Sequence, residues 1–153
     1  MYIDVVTLQE AKNYLRVDND LTEDDAQITR MINSALSFVE RWTQHYMYAR
    51  AKSFPFINGC VRVYDYPINS ATLPTDTKFE EKTLYTNFTH PKDKVLDLNV
   101  GYVSPGDVPD QLLEVAYEII DLLYYAEKGG ESIEKRLSSM SIMTLNQYKR
   151  FLI

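Results

Sequence analysis

The chain has 153 residues, enough for one domain with a real core, and its 45% hydrophobic and 25% charged content is ordinary for a globular protein. With 22 acidic against 16 basic groups its net charge is −6, which argues against a non-specific grip on nucleic acid. The single cysteine, Cys60, excludes an intrachain disulfide and fits a reducing compartment.

Thr7 and Glu10 have the spacing of a capping box, which predicts a short helix over Leu8–Val17. A polar turn over Asp18–Leu21 follows. Thr22 with Asp25 resembles a second cap, and the acids Glu23, Asp24 and Asp25 suit the positive end of a helix dipole. From there to about Thr43, Ile28, Met31, Ile32, Ala35, Phe38, Val39 and Trp42 recur on one stripe of an amphipathic helix.

Helical periodicity then stops. Pro55, Pro67, Pro74, Pro91 and Pro105 punctuate the next sixty residues, and Asn58-Gly59 between Phe54–Ile57 and Cys60–Tyr66 predicts a hairpin. Lys78–Thr89 and Lys94–Val100 are further strand candidates, with Leu96, Leu98 and Val100 alternating on one face. Gly101 can take the positive φ of a sharp exit. Asp107 is the expected N-cap of the next helix, with Pro109 in its first turn.

The helix predicted from Pro109 to about Lys128 is apolar over half its circumference, through Leu112, Leu113, Val115, Ala116, Ile119, Ile120, Leu122, Leu123 and Ala126. So broad a face packs against more than one neighbour, and one neighbour could be another subunit. Tyr117, Ile120, Tyr124 and Tyr125 are therefore the candidate subunit interface. Gly129-Gly130 stops the helix. The end of the chain, Thr144–Ile153, reads as a short helix or tail. Its Tyr148, Lys149, Arg150 and Phe151 mix cations with large apolar groups, as a docking peptide does, or a tail that folds back on its own domain.

Catalytic patterns are missing from the sequence. His45 and His90 lie far apart, zinc spacings and phosphate loops are absent, and the acids of 18–25 lack the calcium-loop glycine and terminal glutamate. A Cys60–His pair is the one nucleophilic option, and a packed thiol explains Cys60 more simply. No cofactor, no metal and no enzymatic activity are expected, nor a signal peptide or membrane span, because acids interrupt each apolar run. The twelve tyrosines suit wet protein contacts as well as half-buried packing.

The order of several pieces resembles the head–tail connector family of tailed bacteriophages, also called adaptor or head-completion proteins. The pieces are Val6–Asp18, the acidic Asp24-Asp25, a long helix ending in Trp42-Thr43, Tyr66-Pro67-Ile68-Asn69-Ser70, Val100-Gly101-Tyr102 with Asp107-Val108-Pro109, and Leu112–Tyr125. The resemblance implies a mainly α fold: a small helical bundle with a β-rich, hairpin or antiparallel, insertion between the second and third main helices. It also implies one connector domain, with N-terminal helices in 1–43, the insertion in 44–106, a core helix in 107–130 and a docking tail in 131–153. It further implies a virion protein, assembled in the host cytoplasm into a ring, usually dodecameric. The ring would lie below the portal, extend the DNA channel without binding DNA specifically, and carry the next connector, stopper or tail protein. Portal docking would fall to the C-terminal segment. The reading that competes with it is a small prophage-encoded cytosolic interaction or regulatory module, dimeric through the 109–128 helix.

Overall fold

A computed structural model describes residues 1–71, 73–92, 95–126 and 131–150. Three helices come first: α1 (Tyr2–Val5), α2 (Leu8–Leu15) and α3 (Asp25–Thr43). The α2 start is the capping box expected from the sequence, with the Thr7 hydroxyl accepting from the Glu10 backbone N–H and the Glu10 carboxylate accepting from Thr7. The α3 cap differs from expectation. Asp24 holds the N-cap position without its side chain bonding a backbone N–H of the helix, and Asp25 instead pairs with the buried Lys12 ammonium at 2.8 Å. That ammonium also donates to the Asn19 and Leu21 carbonyls, so the acidic turn is pinned to α2.

Six strands follow: β1 (Arg50–Pro55), β2 (Cys60–Val63), β3 (Ile68–Ala71), β4 (Lys78–Glu81), β5 (Thr86–Thr89) and β6 (Val95–Val100). They form two antiparallel three-stranded sheets, ordered β1-β6-β3 and β2-β5-β4. The expectation of a mainly α bundle is therefore corrected: the sheets are a substantial part of the fold, which is mixed α and β with helices flanking the sheets. The sequence reading gave too little weight to strands of four residues, too short to show a clear alternation.

The turn at Asn58-Gly59 is present, both residues having positive φ (52° and 73°), but it does not join two partners of one sheet. Beyond an isolated Ile57–Cys60 bridge, β1 pairs with β6 and β2 with β5. The turn thus hands the chain from one sheet to the other. β6 is central to its sheet and buries Leu96, Leu98 and Val100, the alternation expected from its sequence. These three pack with Phe56, Val63 and Phe88 into a core of their own between the sheets.

After β6 the chain turns at Gly101 (φ +108°), where a Cβ would stand 2.1 Å from the Tyr48 carbonyl oxygen. A 3-10 turn (Pro105–Asp107) leads to α4 (Asp110–Tyr124), followed by α5 (Ile133–Arg136) and α6 (Ser139–Tyr148). Asp107 does not cap α4. Its carboxylate accepts from the Ser104 backbone N–H and closes the 3-10 turn, while Pro109, which needs no N–H partner, holds the N-cap position. The expected stop at Gly129-Gly130 lies outside the described residues; α4 ends at Tyr124.

The broad apolar face of α4 is explained within the chain. Leu112, Val115, Ala116, Ile119 and Ile120 are buried in a second core, against α2, α3, α5 and α6. Among the described residues no helix is long and apolar enough to cross a membrane.

Candidate assembly surfaces

Two clusters join the helical layer to the sheets, both built on aromatic rings around an arginine. In the first, the Glu40 carboxylate, near the end of α3, accepts from the Tyr2 hydroxyl at 2.5 Å, the Met47 backbone N–H at 2.8 Å and Arg50 Nη2 at 2.5 Å. The Arg50 guanidinium lies over the rings of Tyr48 (4.1 Å) and Tyr46 (4.6 Å). Burial pushes the Glu40 pKa up, and its three donors oppose that rise. Burial and the Glu40 bond raise Tyr2 to about 12. The sequence reading missed this cluster. A carboxylate continuing the row Ile28, Ile32, Leu36 at steps of four was the available signal.

The second cluster centres on Arg150, just past α6. Its backbone N–H donates to the Thr43 carbonyl at 3.2 Å, and its guanidinium carbon lies 4.4 Å from the centre of the Tyr66 ring. His45, also buried, is 2.8 Å through Nδ1 from the Tyr102 hydroxyl and meets the Tyr148 ring edge-on. Burial, helped by the Arg150 charge, lowers His45 to about 4, so the ring is neutral at physiological pH. Burial also raises Tyr102 and lowers Arg150.

Of the candidate docking residues, Tyr148 and Arg150 are thus held against the body, with the Tyr148 hydroxyl donating to Gln111 at 3.1 Å. Lys149 lines the same pocket, and Phe151 lies outside the described residues. The candidate interface residues separate. Ile120 is fully buried in the chain's own core and presents nothing to a neighbour. Tyr117 stacks on Tyr14 at 5.0 Å, Tyr124 donates to Asp24 at 2.8 Å, and Tyr125, 60% exposed, donates to the Leu15 carbonyl. Tyr124 and Tyr125 border the acidic turn between α2 and α3, and Tyr117 lies against α2.

No group of three or more His, Cys, Asp or Glu side chains among the described residues is arranged to hold a metal ion. Cys60 contacts Asn87 at 3.0 Å, while both ring nitrogens of His90 meet the backbone of Lys92 and Thr75 and His45 faces Tyr102. Two features are candidates for contact with other proteins: the tyrosines of α4 beside α2 and the acidic turn, and the arginine-centred pocket beyond the far end of α3.

The family model described as phage gp6-like head-tail connector protein matches residues 5–142, and the chain belongs to that family of structural virion proteins. Its fold is similar to that of a chain in the neck of an empty GTA particle computed with C6 symmetry, at 12% identity and a TM-score of 0.79. That match covers 97% of this chain and 91% of the other. Two further structures have the same coverage: the virion of a native gene transfer agent particle (12% identity, TM-score 0.76) and the neck of a native GTA particle computed with C12 symmetry (10% identity, TM-score 0.75). No curated protein sequence matches the chain.

Proposed function

We propose that this head–tail connector works as one subunit of a closed ring in the virion neck, below the portal, around the path of the DNA. Membership of the connector family over residues 5–142 carries the reading. The shared fold with chains of GTA necks computed with C6 and C12 symmetry supports a cyclic assembly of six or twelve copies. A ring of identical subunits needs two different complementary surfaces on each copy. The tyrosine edge of Tyr117, Tyr124 and Tyr125 is the first. Tyrosine combines an apolar ring with a polar tip and is favoured at such contacts.

The C-terminal segment, anchored to the body at Tyr148 and Arg150, is the part we assign to portal docking. The next connector or tail protein binds the opposite rim. The net charge of −6 suits a channel in which DNA slides, since phosphates find no excess of cations to hold them. The test is electron microscopy of purified protein with and without portal. Rings seated on portal are expected. Subunits that never bind portal, or a stable solution dimer indifferent to it, would refute the reading.

A further inference from the structure

Arg150 is an unusual cation in this fold. Its side chain is buried, 8% exposed, yet Nε and Nη2 have no hydrogen-bond partner. Those two nitrogens form one edge of the guanidinium, where parallel N–H bonds grip both oxygens of a carboxylate. A buried charged donor left unsatisfied is costly, and proteins retain few of them. Around Arg150 lies a pocket of about 500 Å³ between α6, the start of α4 and the Thr83-Leu84 turn. Tyr66, Tyr102, Tyr148 and neutral His45 supply walls without a competing charge. Asp107 lines the pocket and Glu81 is near enough to act on Arg150 through space, but neither bonds those two nitrogens.

We propose that this pocket receives a carboxylate from the acidic turn of a second copy of the chain, and so forms the second surface of the ring contact. The exposed acids Asp18, Asp20 and Glu23 precede α3, and the pocket follows its other end, at Thr43 and His45. A helix of 19 residues is about 28 Å long, so one copy cannot seat its own turn in its own pocket. Head-to-tail neighbours can. A carboxylate fits better than a DNA phosphate, because the guanidinium lies below the surface, where a side chain reaches more easily than a duplex backbone. The identity of the donor copy rests on the ring reading; the pocket's taste for a carboxylate does not.

Two measurements test this. In the purified chain, the NMR signal of the Arg150 Nε–H is followed during titration with sodium acetate and, separately, sodium phosphate at constant ionic strength. A saturable shift with acetate, weaker with phosphate, is expected; no shift, or a preference for phosphate, overturns the carboxylate assignment. On portal, Arg150→Gln is expected to lower ring occupancy at least tenfold and Arg150→Lys, which keeps charge but loses the fork, nearly as much. Both variants are first checked for an unchanged melting curve. A photo-crosslinker replacing exposed Thr83, used in mixed heavy and light isotope preparations, is expected to capture the 18–24 peptide of another copy. Capture of portal, of DNA or of the same copy's own residues, or equal ring formation by Arg150→Gln, overturns the proposal. If wild-type protein forms no rings, the ring reading falls and the second-copy source falls with it, while the acetate titration still decides whether the pocket takes a carboxylate.

Discussion

Glu40 and His45 lie five residues apart and both are buried at the seam between helices and sheets, but their chemistry is opposite. Glu40 holds three donors, one of them the partly covered Arg50. Glu40→Ala leaves the Arg50 charge and the Met47 N–H without their acceptor, and is expected to cost about 3 kcal/mol, the range for breaking a buried ion pair. Urea unfolding of the variant measures it; a loss below half a kcal/mol would show that water replaces the carboxylate. His45 is buried neutral. Its pKa falls from 6.5 to about 4 on folding, so between those values the unfolded chain binds more protons and stability rises with pH. Below pH 6.5 that contribution is progressively lost, up to about 3 kcal/mol near pH 4. Urea midpoints at pH 7 and pH 5 should therefore differ more for the wild type than for His45→Gln. Equal differences would mean that other groups set the acid sensitivity. Glu40 leaves a trace in the sequence, as the carboxylate that continues the row Ile28, Ile32, Leu36, whereas nothing local distinguishes the buried His45 from an exposed histidine.

At the scale of elements, legibility followed length and local chemistry. The α2 capping box, the α3 stripe and the β6 alternation all lie within single stretches of chain, and the structure has all three. The Asn58-Gly59 turn was equally readable, but its strands part to different sheets because their pairing is decided by β5 and β6, more than twenty residues away. Asp107 was misassigned for a related reason: an acid two residues before Pro109 suits either a helix cap or a 3-10 turn, and the Ser104 N–H decided between them. Gly101, by contrast, was read from its position alone. Because a Cβ there would meet the Tyr48 carbonyl at 2.1 Å with φ at +108°, Gly101→Ala has to displace β1's leading segment. Its expected cost exceeds the roughly 1 kcal/mol of losing the α2 cap in Thr7→Ala. Thermal melts of the two variants side by side check the order, and a milder Gly101→Ala would show that the exit after β6 tolerates movement.

The whole molecule divides its apolar surface differently from what α4 suggested. A helix apolar over half its circumference looked shared with a neighbouring subunit, yet its own α2, α3, α5 and α6 cover that face, and Ile120 is spent inside. What α4 leaves for a neighbour is its rim, where Tyr125 is 60% exposed beside the acidic turn. A rim tyrosine contributes little to a monomer's stability, since most of its ring stays in water. At a closed contact the same ring is desolvated, and tyrosines there are often the residues whose truncation costs 2 kcal/mol or more. Tyr125→Ala should therefore lower the melting temperature of the isolated chain only slightly, through the lost, partly buried bond to Leu15, while subunit association on portal falls roughly thirtyfold, the equivalent of about 2 kcal/mol. Sedimentation of portal complexes at several subunit concentrations separates the two effects. Should association persist at the wild-type concentration, Tyr125 is not part of the ring contact.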